Sequence, residues 1–253
     1  MINPLKQRLA EGQPILGYLA SIPSVQLVQV MARSGVDWLM IDMEHAPIGI
    51  ETAAAMIAAT SGTPATPIVR VPGPLSDLVK PVLDSGAFGV AFPQIATREE
   101  AQATVRAVRY APQGRRGYGP TYAGLRWGMP SLEYHKIAND NVLNIVLIES
   151  LDGIEALDDI LAVEGIDIVA VARGDLSENL GVAGQFDHPR LREVVVRAEA
   201  AILARKGVAL GGIAFSPDEA KAMIGRGYRF VVLGSDAGLL GSTAAAALKA
   251  IRG

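Results

Sequence analysis

Apolar residues along this chain gather into eight short runs, and most runs lead into a stretch whose apolar positions recur every three or four residues. The runs are ILGYLA (15–20), WLMIDME (38–44), PIVRV (67–71), GVAFPQI (89–95), NIVLIES (144–150), IDIVAVA (166–172), ALGGIA (209–214) and RFVVLGS (229–235). Several are apolar without alternation, the pattern of a strand covered on both faces, as in a parallel sheet. The intervening stretches, such as SVQLVQVMARSG and HPRLREVVVRAEAAILARKG, carry the helical period. Their ends are punctuated. Thr97-Arg98-Glu99-Glu100 and Ser216-Pro217-Asp218-Glu219 set a hydroxyl cap before first-turn acids. His188-Pro189 reads as another helix start. Gly35, Gly62, Gly86, Gly207 and Gly227 fall where helices end.

Eight strand–helix units in 253 residues predict an α/β protein, a (β/α)8 barrel in a single domain over 1–253. A doubly wound sheet usually has fewer units and a glycine-rich loop after its first strand, where this chain reads SIPSV. Residues 110–130, YAPQGRRGYGPTYAGLRWGMP, break the rhythm and read as a long loop, usually a functional or interface segment.

Composition narrows the partners. Lys and Arg total 23 against 26 Asp and Glu, with no basic stripe to meet a phosphate backbone, so nucleic acid is not expected. No run approaches the roughly 20 apolar residues of a membrane span, and the charged opening MINPLKQRLAEGQP lacks a signal core. The absence of cysteine removes disulfides, thiolate metal sites and a cysteine nucleophile. A cytoplasmic protein is expected.

In such barrels chemistry lies at the carboxyl ends of the strands, and the polar interruptions of the apolar runs fall there. Run two ends in Asp42, Glu44 and His45; run three carries Arg70; run four ends near Gln94; run five ends in Glu149; the segment after run six reaches Asp175. A carboxylate closing an apolar run is costly without a partner, so Glu149 reads as a metal ligand ahead of a structural ion pair. Alone, Asp175 could cap a turn, Arg70 could pair structurally and His45 could be a loop histidine. Together on one rim, the four favour a site.

Two carboxylates one barrel unit apart, without Cys or a His pair, suit a hard divalent cation completed by water and substrate oxygens. Mg²⁺ or Mn²⁺ is expected, with Co²⁺ a further candidate. Such a site would acidify the C–H beside the carbonyl of a 2-oxo acid. Arg70 would stabilise the enolate oxygen and His45 would relay a proton. His135, in a charged segment, is expected to be solvated. VVLGSDAG (231–238) lies where many barrels bind phosphate but lacks a paired-glycine loop.

Seven motifs in order, DWLMIDMEHAP, VRVPG, VLDSGAFGVAFPQI, RYAPQGRRGYG, IES, GDLS and GYRFVVLGSDAGLL, resemble the HpcH/HpaI aldolases over nearly the whole length. These are metal-dependent pyruvate aldolases of the phosphoenolpyruvate/pyruvate barrel superfamily. The Met of DMEH, where aldolases often carry Gly, is similar to the macrophomate synthase branch. The resemblance implies metal ligands at Glu149 and Asp175, a catalytic histidine at His45 supported by Asp84 and Asp42, and an enolate-stabilising Arg70. It implies a carboxylate-binding turn around Gly174 and Asp175. It also implies a homohexamer, a trimer of dimers, with STAAAALKAIRG exchanged between subunits.

Two positions depart from the family. Arg173 replaces a proline and adds a cation that could bind a second carboxylate or a neighbouring chain. Leu147 replaces a common Gln, removing a hydrogen-bonding group beside the substrate. The expected reaction is reversible cleavage of a 4-hydroxy-2-oxo acid to pyruvate and an aldehyde. No run ends in Lys, which argues against a Schiff-base aldolase. Three alternatives stay open. One is a malyl- or citryl-CoA-type lyase with a basic entrance from Arg109, Arg115, Arg116 and Arg126. The others are an oxaloacetate decarboxylase and a non-catalytic 2-oxo-acid-binding barrel.

Overall fold

The computed structural model describes residues 3–74 and 76–253. Eight parallel strands pair in chain order and close into a barrel through the first and last. They are β1 (Ile15–Ala20), β2 (Trp38–Asp42), β3 (Thr66–Arg70), β4 (Gly89–Phe92), β5 (Leu143–Ile148), β6 (Ile168–Val171), β7 (Ala209–Ile213) and β8 (Phe230–Ser235). Each overlaps one of the eight predicted runs, β3 and β5 starting one residue earlier. The helices are α1 (Pro4–Ala10), α2 (Val25–Met31), α3 (Ile50–Ala59), α4 (Val79–Asp84), α5 (Arg98–Val108), α6 (Thr121–Arg126), α7 (Ser131–Asn141), α8 (Leu151–Glu155), α9 (Leu157–Leu161), α10 (Arg173–Asn179), α11 (Pro189–Ala204), α12 (Pro217–Gly225) and α13 (Asp236–Arg252). The expected punctuation is in place: Thr97 and Glu100 close a capping box, Ser216 and His188 cap α12 and α11, and the five named glycines all have positive φ.

Strand periodicity divides the side chains into two cores. One lies between strands and helices; the other fills the barrel, with Trp38, Ile68, Leu143, Ile145, Ile168 and Phe230 among its members. Trp38 and Phe230 stack with ring centroids 4.4 Å apart. Their bulk forces glycine at position 17, where a Cβ would lie 2.3 Å from the Trp38 ring.

The sequence reading passed over α1, which plugs the amino-terminal end of the barrel. Leu5 is buried in the inner core, while Asn3 caps α1 and donates to the carbonyls of Phe88 (3.0 Å) and Asn141 (2.7 Å).

Residues 110–130 are not one loop, because α6 interrupts them. Their first part packs at the amino-terminal end, where Arg116 donates to Asp84 at 2.9 Å and to the Tyr134 hydroxyl at 3.0 Å, with its guanidinium 4.4 Å from the Tyr110 ring centroid. His135 is half-buried against the Tyr110 and Tyr118 rings rather than solvated. Nor is the first turn of α13 open for an anion. Ser235 caps it, and the Asp236 carboxylate accepts from the backbone N–H groups of Ser21, Ile22 and Ala237. Past Asp236, α13 is exposed, including Leu239, Leu240, Leu248 and Ile251. Among the described residues no helix is long and apolar enough to cross a membrane.

Candidate active site

Parallel register places Asp42, the last residue of β2, beside Arg70, the last of β3. Asp42 is only 2% exposed and binds Arg70 through both carboxylate oxygens, accepting from Nε at 3.0 Å and Nη2 at 2.8 Å. It also accepts the backbone N–H groups of Glu44 (3.1 Å) and His45 (3.3 Å), which shapes the turn carrying both. Burial alone would raise its pKa, but these partners hold it below the usual carboxylate range.

Glu44 lies beyond Asp42 with the inward parity of Trp38, Met40 and Asp42. Its Oε2 is 3.2 Å from Arg70 Nη1 and 3.5 Å from His45 Nε2. That oxygen is buried and within ion-pair distance, yet neither neighbour meets it with hydrogen-bond geometry. Burial raises the Glu44 pKa, as do Asp42 and Asp175, against the opposing pull of Arg70 and His45. The His45 side chain is 65% exposed.

Glu149 sits one residue past β5 and is buried. It accepts the Gln94 backbone N–H at 3.0 Å. Gln94 is the one non-glycine residue with positive φ among those described, at 58°. This sparsely populated conformation lies at a site-lining turn, where such strain tends to collect. Burial, and then the charges of Glu44 and Asp175, push the Glu149 pKa up to about 7. Asp175 stands in the first turn of α10, exposed at the rim. A Cβ on neighbouring Gly174 would meet nothing within 4 Å.

Glu149, Asp175, Arg70, Gly174, Leu147 and Arg173 line a cavity of about 370 Å³ at the carboxyl end of the barrel. Mutual repulsion among Glu44, Glu149 and Asp175 favours a cation beside Glu149, which would compete with a proton there. Among the described residues no three His, Asp or Glu side chains converge closely enough to hold an ion alone. Glu149 and Asp175 fit as a two-carboxylate share of a site whose other positions go to water and substrate.

Thus Asp42, Arg70, Glu149, Asp175, Gly174 and Arg173 gather at one rim with His45, while Asp84 does not. Asp84 ends α4 at the opposite end of the barrel, paired with Arg116. Arg173 is committed as well, donating to Glu219 (2.6 Å) and the Ile213 carbonyl (2.8 Å). Of the four arginines of the basic entrance, none lines this cavity: Arg109 bonds the Val142 carbonyl, Arg116 bonds Asp84, Arg126 bonds the Thr60 hydroxyl, and Arg115 lies beside Arg106 in a separate hollow. Sequence reasoning gave Glu44 no role, although its parity with β2 was a usable signal. No signal announced the Gln94 N–H, because a backbone dihedral there is set by tertiary packing.

The sequence profile of HpcH/HpaI aldolase/citrate lyase matches residues 18–242. A 2-keto-3-deoxy-L-rhamnonate aldolase from Escherichia coli strain K12 is 36% identical over 235 residues, 92% of this chain and 87% of the relative. A crystal structure of an HpcH/HpaI aldolase/citrate lyase family protein from Burkholderia cenocepacia J2315 superposes with a TM-score of 0.90 at 33% identity, covering 99% of this chain and 100% of that one. A citrate synthase structure matches at 0.89 and 30%, covering 100% and 98%.

Proposed function

This chain belongs to the HpcH/HpaI aldolase/citrate lyase family, and on that footing we propose how it works as a carbon–carbon lyase that reversibly cleaves a 4-hydroxy-2-oxo acid to pyruvate and an aldehyde. The observation that carries the reading is the Glu149 carboxyl, its proton affinity raised first by burial and then by Glu44 and Asp175, lining one cavity with an arginine that Asp42 holds in place. Glu149 and Asp175 would hold a divalent ion, Mg²⁺, Mn²⁺ or Co²⁺, whose chemistry when bound is Lewis acidity toward the 2-oxo acid.

The protein's own groups do the rest. Asp42 fixes the Arg70 guanidinium in one orientation, so its charge is preorganised for the oxyanion that develops at C2. His45, with Glu44 beside its Nε2, takes the proton from the C4 hydroxyl. The C3–C4 bond breaks, C4 leaves as the aldehyde carbonyl, and the electron pair passes to C3 and the C2 oxygen. Protonation of C3 then yields pyruvate. Backbone N–H groups at Gly174 and Asp175, in the first turn of α10 beside the cavity, would receive the substrate carboxylate. Asp84 could serve His45 only from a second subunit, and the exposed leucines of α13 support a homo-oligomer.

The test is pyruvate in D2O with EDTA-stripped protein, restoring Mg²⁺, Mn²⁺ or Co²⁺ and following the methyl proton signal. Metal-dependent loss of that signal is expected, and its absence with every ion would sink the reading. His45→Ala should lower aldol turnover by about 100-fold or more, the usual contribution of a general acid–base group; full activity would remove His45 from its role.

A further inference from the structure

The cavity beside Glu149 is chemically lopsided. Its charged residues are Arg70, Glu149, Asp175 and Arg173, and no described Ser, Thr, Tyr, Asn, Gln or His lines it. The remaining walls are apolar: Leu19, Leu147, Phe186, Ile213, Phe215 and Val232 surround the space, with Met40 and Phe230 deeper. Strand parity explains the key position. Leu143, Ile145 and Leu147 follow one another on the inner face of β5, and Glu149 continues that face, so Leu147 projects into the cavity just below the carboxylate.

Arg173 does not relieve this apolar character. One of its nitrogens is shared by Glu219 and the Ile213 carbonyl, and its guanidinium carbon lies 5.7 Å and 5.3 Å from the ring centroids of Phe186 and Phe215. Those two rings stack on each other at 4.8 Å. The cation is charge-balanced by Glu219 and held beside two rings, so a second carboxylate would meet a guanidinium that is already paired. Arg70 is likewise engaged by Asp42 and Glu44. A hydroxylated chain entering this space would find no neutral hydrogen-bonding side chain among the described lining residues, and buried polar groups left unpaired are strongly disfavoured.

The geometry points to a substrate class: a 4-hydroxy-2-oxo acid with an apolar substituent of several carbons, rather than a polyhydroxylated or dicarboxylic one. The substituent belongs either to the aldehyde fragment or to C3 of the 2-oxo acid fragment; its chemistry is the same in both. This rests on the aldolase reading above, and the experiment separates the two.

The full-length protein is loaded with Mn²⁺ and assayed first for deuterium exchange at C3 of pyruvate. It is then assayed for addition of pyruvate to propanal, butanal, pentanal and 3-phenylpropanal, against glyceraldehyde, lactaldehyde and succinic semialdehyde. In parallel, exchange at C3 is compared for pyruvate, 2-oxobutanoate and 2-oxopentanoate. Burial of each methylene predicts that kcat/KM rises about 4-fold per added carbon until the cavity is full. A rise along the aldehydes places the apolar group on the acceptor, and a rise along the 2-oxo acids places it on the donor; either supports the inference.

Leu147→Gln supplies a control that does not depend on how much protein folds, because it is read as a ratio within one sample. The preference for pentanal over glyceraldehyde should fall at least 10-fold if the apolar series marks the acceptor. The preference for 2-oxopentanoate over pyruvate should fall likewise if it marks the donor. Exchange with pyruvate combined with a preference for the hydroxylated or carboxylated aldehydes, and no gain along the 2-oxo acids, would overturn the substrate class while leaving the aldolase standing. No exchange with any 2-oxo acid would overturn both.

Discussion

Replacing Glu149 with Gln should make the metal-free protein more stable at alkaline pH, although it removes an intended ligand. The folded carboxyl has a pKa of about 7 against an ordinary value of 4.5, because it is buried and faces Glu44 and Asp175. A folded-state pKa raised above the unfolded one means that the folded chain binds the extra proton between those values. Stability from this group is therefore lost as pH rises through that window. The penalty is about 1 kcal/mol at pH 5 and about 3 kcal/mol at pH 8. Gln carries no charge, and its carbonyl oxygen can still accept the Gln94 N–H, so the variant avoids the penalty. The difference between variant and wild type should grow by about 2 kcal/mol from pH 5 to pH 8, or roughly 4–8 °C in melting temperature for a chain of this size.

Calorimetry of EDTA-treated wild type and Glu149→Gln at both pH values measures this directly. Mn²⁺ should then reverse the order at pH 8. At 100 times its dissociation constant an ion stabilises the wild type by about 2.7 kcal/mol, while the variant should respond weakly. A variant that melts below wild type at pH 8 without metal, or gains as much at pH 5 as at pH 8, would refute the claim that desolvation and carboxylate crowding set the site's affinity for a cation.

Three further outcomes are expected. Asp42→Asn removes the bidentate partner of buried Arg70 and leaves only the Glu44 ion pair, a loss of about 3 kcal/mol, visible as a lower melting temperature together with slower pyruvate exchange; unchanged melting would mean that Glu44 alone holds the arginine. Glu44→Gln removes a charge that raises the Glu149 pKa, so the acid limb of the pyruvate-exchange pH profile should move to lower pH, and a stationary limb would separate Glu44 from the site. Asn3→Ala removes the α1 cap and its bonds to the Phe88 and Asn141 carbonyls; a loss of about 2–3 kcal/mol should lower the melting temperature without changing KM for a 2-oxo acid, which distinguishes the bottom plug from the site.

Much of the rim follows from strand periodicity. Asp42, Arg70 and Glu149 end apolar runs, and a chain that closes eight such runs in order must bring those ends to one mouth. The same logic has a blind side. Asp84 lies in the middle of a strong motif, VLDSG, yet it ends a helix, and in a barrel helices run back to the opposite end from the one the strands reach. Its pairing with Arg116 depends on a segment about thirty residues further on that carries no helical or strand period. His135 went astray for the same reason, since only packing shows that Tyr110 and Tyr118 enclose it.

The sequence by itself determined the architecture: eight runs of the right length and spacing, their caps, and the polar residues that end them are local properties, readable because hydrophobic period and backbone propensity act over a few residues. Tertiary structure alone decided how those residues are spent. The Arg173 cation, free on paper, is consumed by Glu219 and an aromatic bracket; Gln94 turns its N–H toward Glu149 through a left-handed backbone; and Leu147 becomes one wall of an apolar chamber. Each is a contact between residues dozens of positions apart, and through-space partners fix hydrogen bonds, desolvation and charge balance, which local pattern does not encode.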